Sequence, residues 1–301
     1  MTPYGIQNGG NATAIKVRLI VAHVVCLGVF FVPLTKELLL LALLAYFARV
    51  FAYEGVAHRY FAHHSFKTSR VFQFLLAVFQ TGSGMRGPIW WADHHRKHHR
   101  YSDGPLDRHS PVTHSFWYSF VGWLVDPAAI DTDLDGARDL SRFPELVWLN
   151  KRHNTVQLAV LLACYPLGQY TGWLGHEGMG LSAIVWLFFL PMLLAVHSAS
   201  LVNAWTHGAR SGLFHHQRFD TGDTSTNSWL LAIPTMGASW HNNHHRCMNA
   251  SRAGFYWWEL DLTYWVLRAL ALTGLIWDLR QVPQDVLAEG RQADQTRALD
   301  G

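Results

Sequence analysis

Four long apolar runs limit this chain to folds that cross a lipid bilayer. They form two pairs, each joined by a short link, and cover residues 19–34, 38–57, 156–174 and 181–200. A helix of about 20 apolar residues crosses about 30 Å of hydrocarbon. A helix on the surface of a soluble bundle would instead carry polar residues along one face. Because these runs are apolar on all faces, we predict four membrane-spanning helices arranged as two hairpins.

The composition agrees with a membrane protein. Half of the 301 residues are hydrophobic, only 15% are charged, and 14 are tryptophan, which concentrates at membrane interfaces. The net charge of +3 is too small to indicate a nucleic-acid partner. Cys26, Cys164 and Cys247 are far apart in sequence, so the chain predicts neither a disulfide framework nor a thiolate metal site.

Basic residues predict the orientation of the four helices. The link at 175–180 holds no Lys or Arg and the link at 35–37 holds one, whereas basic residues crowd segment 59–152 and the chain after residue 207. The positive-inside rule therefore places both termini and the long middle segment in the cytoplasm. We expect a multi-pass protein of a bacterial inner membrane with a cytoplasmic active site.

A further apolar stretch at residues 71–91 is not predicted to span the bilayer. If it did, the histidines before it and those after it would face opposite compartments. It is also interrupted by glycines at 82, 84 and 87 and by Pro88. We therefore predict an interfacial or re-entrant amphipathic segment, because irregular backbone is excluded from contact with lipid.

The predicted fold is an all-α integral membrane protein whose four spans are capped by a cytoplasmic helical domain. One domain is expected over residues 15–283, between a flexible N-terminus at 1–14 and a polar C-terminal tail at 284–301. No convincing signal peptide precedes it, because the first apolar run lacks a small-residue cleavage site and a second run follows closely.

Histidine is unusually frequent, with 19 residues in the chain. Several have the spacing of metal ligands, because side chains three or four residues apart share one face of a helix. Taken alone, the stretch 90–103 would also fit a solvated basic patch. Three groups near membrane exits favour a shared metal site instead. The groups are His58 and His63; His95, His98 and His99; and His241, His244 and His245, with Asn203 and His207 as a fourth candidate.

The number and type of these ligands predict the kind of metal centre. Nine histidines exceed the roughly four to six ligands of one ion, so two ions are expected. A zinc hydrolase of the HExxH kind is excluded, because His176-Glu177 is followed by Gly180 where the second histidine is required. The chain also contains no Glu-x-x-His, which excludes a carboxylate-rich di-iron bundle. Two irons held by histidine alone remain.

The histidine groups resemble the three histidine boxes of membrane fatty acyl desaturases, the stearoyl-CoA desaturase-like group. The boxes here read HRYFAH at 58–63, HRKHHRYSD at 95–103 and HNNHH at 241–245. The similarity covers about residues 15–283, and the HNNHH box and the FYWW sequence after it resemble the bacterial and plant delta-9 type. Further similar stretches are SFKTSR at 65–70, HSP at 109–111, VGW at 121–123, TGD at 221–223 and GFYWWE at 254–259.

The resemblance implies a ligand set for two iron ions, with Asn203 acting through a bound water. This chain departs from the family pattern at three places. His64 stands where close relatives usually carry Arg, His94 precedes the second box and is not expected to be a ligand, and Cys247-Met248-Asn249 replaces an aromatic-Pro step. The implied iron ligands are His58, His63, His95, His98, His99, His207, His241, His244 and His245.

The resemblance also implies an O2-dependent enzyme that introduces a cis double bond, of the delta-9 type, into a long-chain acyl substrate. The same scaffold could act as a hydroxylase or an acetylenase, which the sequence does not separate. A membrane metal carrier is the alternative from another class, and it would need ligands inside the spans. Only His23 and His197 lie there, so the carrier is disfavoured.

The partners of such an enzyme are an acyl substrate, membrane lipid and an electron donor. The chain has no His-Pro-Gly-Gly haem motif, no GxGxxG after a strand and no clustered cysteines, so an external ferredoxin or cytochrome-type donor is expected. The acyl carrier, whether CoA, a carrier protein or a glycerolipid, stays open. Candidate contacts for the substrate or its head group are His109, Trp123, Arg96, Lys97 and Trp258.

Overall fold

The computed structural model describes residues 5–209 and 212–300, with only the backbone of Asp300. This part of the chain is mostly helical, with two small antiparallel sheets. The α-helices are α1 (Ala12–Cys26), α2 (Lys36–Phe51), α3 (Arg70–Gly82), α4 (Pro88–Tyr101), α5 (Phe116–Phe120), α6 (Arg138–Ser141), α7 (Pro144–Lys151), α8 (His153–Tyr170), α9 (Gly180–Ala183), α10 (Leu190–Thr206), α11 (His241–Arg246), α12 (Leu262–Leu272) and α13 (Gln284–Asp300). The strands are β1 (Ile6–Gln7), β2 (Lys67–Thr68), β3 (Thr132–Asp133) and β4 (Ile276–Trp277).

Three helical segments are long and apolar enough to cross a membrane. They are Ala12–Phe30, Lys36–Ala62 and Gly180–Thr206. The first contains α1 and a 3-10 turn, the second continues α2 into a π-helix, and the third joins α9 to α10 through π-helical Ile184–Phe189. Three of the four predicted spans therefore meet the requirements of length and composition.

The fourth predicted span, residues 156–174, corresponds largely to α8. This helix is less apolar, because its first turn carries His153 and Asn154 and its last turns carry Pro166 and Gln169. Its end packs closely on the start of the third segment, since a Cβ atom added at Gly168 would lie 2.5 Å from the carbonyl oxygen of Met179. Length and composition alone thus leave four spans unconfirmed.

The apolar stretch 71–91 is divided between two helices at its glycines and Pro88. α3 ends at Gly82, and a turn with positive φ at Gly84 (116°) and Arg86 (33°) leads into α4 at Pro88. The 13 residues of α3 span only about 20 Å at about 1.5 Å per residue. Its Val71 and Leu75 are exposed, so α3 presents an apolar face outward while remaining too short to cross a bilayer.

Secondary structure is present near both ends of the described chain. Of the N-terminal residues expected to be flexible, Ile6 and Gln7 form β1, in which Ile6 pairs with Asp133 of β3. The C-terminal tail forms α13, which is anchored by an ion pair of 2.9 Å between Arg218 and Asp294 and by the buried Val286. The partner residues Asp133 and Arg218 are distant in sequence, so local polarity does not predict these contacts.

The largest buried cluster lies where α2, α3, α4 and α7 meet, next to the histidines. Phe61, Ile89, Trp90, Leu146 and Leu149 belong to it and are almost completely buried. Such close-packed side chains fix the positions of their helices. The core therefore forms a rigid base for the first and second histidine boxes.

Candidate metal centre

The first histidine box lies on a π-helix. Ala52–Ala62 follows α2 without a break, and the amide of His63 donates to the carbonyl of His58, five residues earlier, at 3.2 Å. Bonds of this i→i+5 type define the wider π turn, which is often found at functional sites. In this geometry His58 and His63 come to one side of the helix, with ring centroids 4.9 Å apart. The spacing of a regular α-helix would not have predicted that these two residues, five positions apart, lie on the same side.

The second box lies on α4, whose start is fixed by Pro88 and by the side chain of Asn150. Proline suits the first turn of a helix because its missing N–H needs no partner there, and Asn150 Oδ1 accepts a 2.8 Å hydrogen bond from the amide of Trp90. Farther along, Lys97 pairs with the buried Asp93 at 2.7 Å. The helix therefore holds His95, His98 and His99 in a defined rotation toward the interior.

The third box forms the short helix α11, which two asparagines anchor. Asn242 Oδ1 accepts hydrogen bonds of 2.8 Å from the amides of Arg218 and Phe219. Asn243 donates to Glu259 Oε2 at 2.9 Å and accepts from Arg218 Nη1 at 2.7 Å. Both amides are fully buried, so the two residues between the histidines fix the backbone and leave the imidazoles free to act as ligands.

The nine predicted histidines meet in two clusters. Within each cluster, one ring nitrogen from every residue lies within 4.8 Å of the others. α4 contributes to both clusters, because His95 and His99 face one of them and His98 faces the other. The first cluster is His58, His63, His95, His99 and His244, and the second is His98, His207, His241 and His245.

The nitrogen–nitrogen distances suit metal ligation. In the first cluster, Nε2 of His63 lies 2.9 Å from Nε2 of His95, and in the second, Nε2 of His207 lies 3.0 Å from Nε2 of His241. Two ligands at a right angle around an ion lie about 3 Å apart when each metal–imidazole bond is about 2.1 Å. The observed spacing fits this arrangement.

Carboxylates bind the outward-facing nitrogen of four of these histidines. Such contacts fix the tautomer of the ring and direct its other nitrogen toward a metal. The sequence did not identify these four acids as site residues, although Asp103 and Asp223 lie in the HRKHHRYSD and TGD motifs. The pairs are His58 with Glu54 at 2.9 Å, His98 with Asp107 at 2.8 Å, His207 with Asp103 at 3.0 Å and His245 with Asp223 at 2.6 Å.

The electrostatics favour a charged Asp107 and neutral imidazoles at His95, His99 and His244. Burial opposes ionisation of Asp107, but its hydrogen bonds with His98 and with the amide of Asp103 and its attraction to His98 and His109 together outweigh burial and lower the pKa of Asp107 to about 2. Burial, reinforced by the other imidazoles, lowers the pKa of His95, His99 and His244 well below the usual value of 6.5. Neutral imidazoles are the form that binds metals.

The donor set fits two metal ions. Nε2 of His98 is buried and has no hydrogen-bond partner in the described chain, although a buried polar atom without a partner costs about 1–3 kcal/mol. A metal ion in the second cluster would satisfy it. Imidazole nitrogen suits iron, zinc, copper and nickel, so the residues present are compatible with iron.

A narrow, largely apolar cavity lies beside the first cluster. His95 and the predicted contacts His109 and Trp123 line it together with Asn203. The ring of His109 stacks on Trp123 at 4.7 Å and lies 4.6 Å from the ring of His98. The remaining residues around the cavity are Met85, Trp90, Trp91, His94, Ala199 and Ser200.

Three other predicted contacts lie away from this cavity. Arg96 pairs with Asp139 at 2.7 Å, and Lys97 bonds to Asp93 and Asp133. Trp258 is half exposed and stacks on Tyr256. Arg96 and Lys97 each have an acidic partner within the fold.

His64 and His94, which flank the first and second histidine boxes, lie outside both clusters. His64 has a positive φ of 51° and bonds to Asp139 at 2.6 Å. Nδ1 of His94 lies 2.9 Å from the carbonyl oxygen of Trp90, and burial lowers the pKa of His94 to about 3. Neither offers a ligand atom to the clusters.

Comparison with known proteins identifies the family. The family model of fatty acid desaturases matches residues 37–278. This chain belongs to the fatty acid desaturase family. It is accordingly an oxidoreductase that acts as a fatty acyl desaturase, and its apolar helices are those of a membrane protein.

Curated desaturases and a related acetylenase are similar over most of this chain. An acyl-CoA 5-desaturase (AL21) of Anemone leveillei is 32% identical over 274 residues, which cover 88% of this chain and 78% of the relative. An sn-1 stearoyl-lipid 9-desaturase of Anabaena variabilis is 34% identical and covers 72% and 74% of the two chains. A hex-5-enoyl-[acyl-carrier protein] acetylenase of Moorena producens (strain JHB) is 33% identical and covers 74% and 70%.

Proposed function

We propose that this desaturase introduces a cis double bond at the delta-9 position of a long-chain fatty acyl substrate, with two iron ions, O2 and electrons from an external donor. The observation that carries the proposal is the pair of histidine clusters that share α4 and adjoin a narrow, largely apolar cavity. Similarity to stearoyl-lipid and palmitoyl-lipid 9-desaturases supports the delta-9 position.

The nine histidines would hold the two ions, and Asn203, which lines the cavity beside His95, would bind through a water. When bound, the di-iron centre would supply, together with O2, the oxidising power that removes hydrogen from an unactivated methylene. No side chain can supply that oxidising power. Asp107, Asp103, Asp223 and Glu54 orient the imidazoles. Their charges also balance part of the charge of the metal ions.

The cavity walls would position the acyl chain. Trp91 stacks on the ring of His95 at 4.6 Å, so an aromatic surface lies directly against a metal ligand. Met85, Trp90 and Trp123 add apolar surface, which excludes water and holds one part of a flexible chain near the metal. Such positioning selects which carbon–carbon bond reacts.

The clusters also support a topology with four spans. The rings of His98 and His207 lie 5.0 Å apart, so the chain between them must cross the bilayer an even number of times. Between His98 and His207, the described helical segments long enough to cross the bilayer are α8 and the segment that contains α10. Likewise, Nε2 of His63 and of His95 lie 2.9 Å apart, so α3 does not cross. Together with the positive-inside rule, these contacts support a cytoplasmic metal centre and cytoplasmic termini.

The test is expression in a host that lacks unsaturated fatty acids, followed by gas chromatography and mass spectrometry of its lipids. We expect a new cis monoene with the double bond at carbon 9, and none with His241→Ala. A monoene at another position would contradict delta-9 specificity alone. The absence of any monoene from protein that contains two irons would contradict the proposed activity.

Acetylenation is a second candidate activity, favoured by the similarity to the acetylenase of Moorena producens. The same analysis separates the two activities, since an acetylenase would convert a supplied monoenoic acid to an alkyne. The curated relatives act on acyl groups attached to CoA, to lipid and to a carrier protein. Family membership therefore does not determine the carrier.

A further inference from the structure

Three neighbouring cavities lead from the metal centre toward the N-terminal strand. The cavity beside His95 shares Met85 and Trp90 with a second, mainly apolar cavity. The second cavity shares Arg86 and Asn154 with a third, polar cavity that Gly9 and Gly10 also line. An acyl chain in the first two cavities would therefore have its polar end near Arg86.

The polar end of this series carries more positive than negative charge. Arg18 lies in the wall of the second cavity, Lys151 in that of the third, and Arg86 in both. Among the described residues that line these two cavities, none is an aspartate or glutamate. Asp131 is the acid that acts on Arg86, and its Oδ1 already accepts a hydrogen bond of 2.9 Å from the amide of Gly9.

The guanidinium of Arg86 is held in place on one side, and its other terminal nitrogen makes no hydrogen bond within the described chain. Its Nη1 donates to the carbonyl of Ile130 at 2.6 Å, and its Cζ lies 4.9 Å from the ring centroid of Trp90. Its Nη2 is buried without a hydrogen-bond partner in the described chain. Burial lowers the pKa of Arg86 to about 10, with Arg18 adding to the effect and Asp131 opposing it. The side chain is therefore still a cation at neutral pH.

We propose that Arg86, with Arg18 and Lys151, binds the phosphate of a phosphate-bearing acyl carrier. Three cations in the walls of two adjoining cavities, whose described lining contains no carboxylate, suit a group with more than one oxygen and more than one charge. Arginine binds phosphate oxygens in pairs. Such a phosphate occurs both in phosphopantetheine thioesters, including CoA, and in glycerophospholipids. A neutral galactolipid has no group for this site. The inference rests on the proposed desaturation of an acyl chain in the adjoining cavities.

The test measures binding and needs no turnover. The full-length protein in detergent is titrated with stearoyl-CoA, a stearoyl phosphatidylglycerol and a neutral stearoyl monogalactosyldiacylglycerol. We expect one of the phosphate-bearing ligands to bind at least tenfold more tightly than the galactolipid. Tighter binding of stearoyl-CoA would indicate a thioester carrier, and tighter binding of phosphatidylglycerol would indicate a membrane lipid.

Variants assign the binding to the proposed residues. Arg86→Gln should weaken binding of the preferred ligand by about tenfold to a hundredfold, the value of a hydrogen bond to a charged group. Arg86→Lys keeps the charge and should retain most of the preference. Arg291→Gln, on the exposed side of α13, should change nothing. Arg18 donates a hydrogen bond to Asn154, and Arg18→Gln tests the site without removing the contact that Arg86 makes with Ile130.

Two results would overturn the inference. One is equal affinity for the galactolipid and both phosphate-bearing ligands. The other is unchanged binding in both Arg86→Gln and Arg18→Gln. Because these assays measure affinity, loss of phosphate binding in the variants would support the site even if the desaturation assay failed. A working desaturase with no phosphate preference would refute the site alone.

Discussion

Nδ1 of His98 lies 2.8 Å from Oδ2 of Asp107, and neither side chain is exposed to solvent. The same imidazole presents its unpartnered Nε2 to His207, His241 and His245. One buried carboxylate thus determines which nitrogen of His98 carries the proton and which is free for a metal. The contact spans nine residues and connects the second box to the loop that follows α4.

Asp107→Asn should weaken metal binding at the second cluster. The amide can offer its NH2 group to Nδ1, which would place the proton on Nε2 and remove that nitrogen as a ligand. Loss of a carboxylate behind a ligand typically costs about tenfold to a hundredfold in metal affinity. Iron titrations of the purified protein would measure this, with Asp278→Asn in an exposed ion pair with Lys67 as the control. Unchanged affinity would show that Asp107 does not set the tautomer.

Replacing one histidine in either cluster should remove about one iron ion per chain, not two. His63 belongs to the first cluster and His207 to the second, so His63→Ala and His207→Ala should each leave about one iron per chain. Elemental analysis of purified protein measures the ratio, and His176→Ala in an exposed turn serves as the control. If both variants lost all iron, the two clusters would have to be treated as one coupled site.

Local spacing does not account for His58 and His63, which are five residues apart on and just after a π-helix. It does group the candidate histidines of α4 and of α11, because these helices are regular enough to bring residues three and four apart to one face. It could not predict the acids that support these histidines. His207 and Asp103 are 104 residues apart, and only the folded chain brings them together. The same applies to Arg96, whose partner Asp139 lies 43 residues away.

The membrane-spanning segments were also only partly predictable from local sequence. Apolar length predicted α1, α2 and the segment containing α10, whereas α8 is too polar at its ends for composition alone to confirm it as a span. The contact between His98 and His207 provides the argument that sequence could not. The π-helix around His58 was equally unpredictable, since its widened turn is stabilised by the packing around it.

Ala199→Phe should block the cavity beside the first cluster. Ala199 lies in its wall near Trp123 and Asn203, so a phenyl ring would occupy space meant for the acyl chain. We expect turnover to fall at least about tenfold with the iron content unchanged. Ala288→Phe on the exposed face of α13 is the matched control. Normal turnover with the enlarged residue would place the acyl chain elsewhere.

Arg218→Ala should destabilise the protein strongly. Arg218 bonds to Glu259 at 2.6 Å, both side chains are almost fully buried, and the loss would leave a buried carboxylate without its cation. Breaking such a pair costs about 3–5 kcal/mol, which thermal unfolding in detergent would register as a lower midpoint.

The control for Arg218→Ala is Arg246→Ala, which removes an exposed ion pair between Arg246 and Glu289 of α13. Arg246 and Glu289 lie 2.6 Å apart but are about 36% and 45% exposed. Exposed pairs contribute about 0–1 kcal/mol, so Arg246→Ala should leave the midpoint nearly unchanged. Equal effects of the two substitutions would mean that burial does not determine the contribution of these pairs.

The four-span topology predicts which single cysteines a membrane-impermeant maleimide can reach. Cys26, Cys164 and Cys247 are first replaced by serine, and then Glu177→Cys or Asp285→Cys is added at an exposed position. In intact bacterial spheroplasts, the cysteine at 177 should react and the cysteine at 285 should react only after permeabilisation. Labelling of both from outside would mean that an even number of segments crosses between them, instead of the single span expected from Gly180–Thr206. It would also separate α4 from α11, and the contact of His99 with His244 at 2.9 Å could then not form in the membrane.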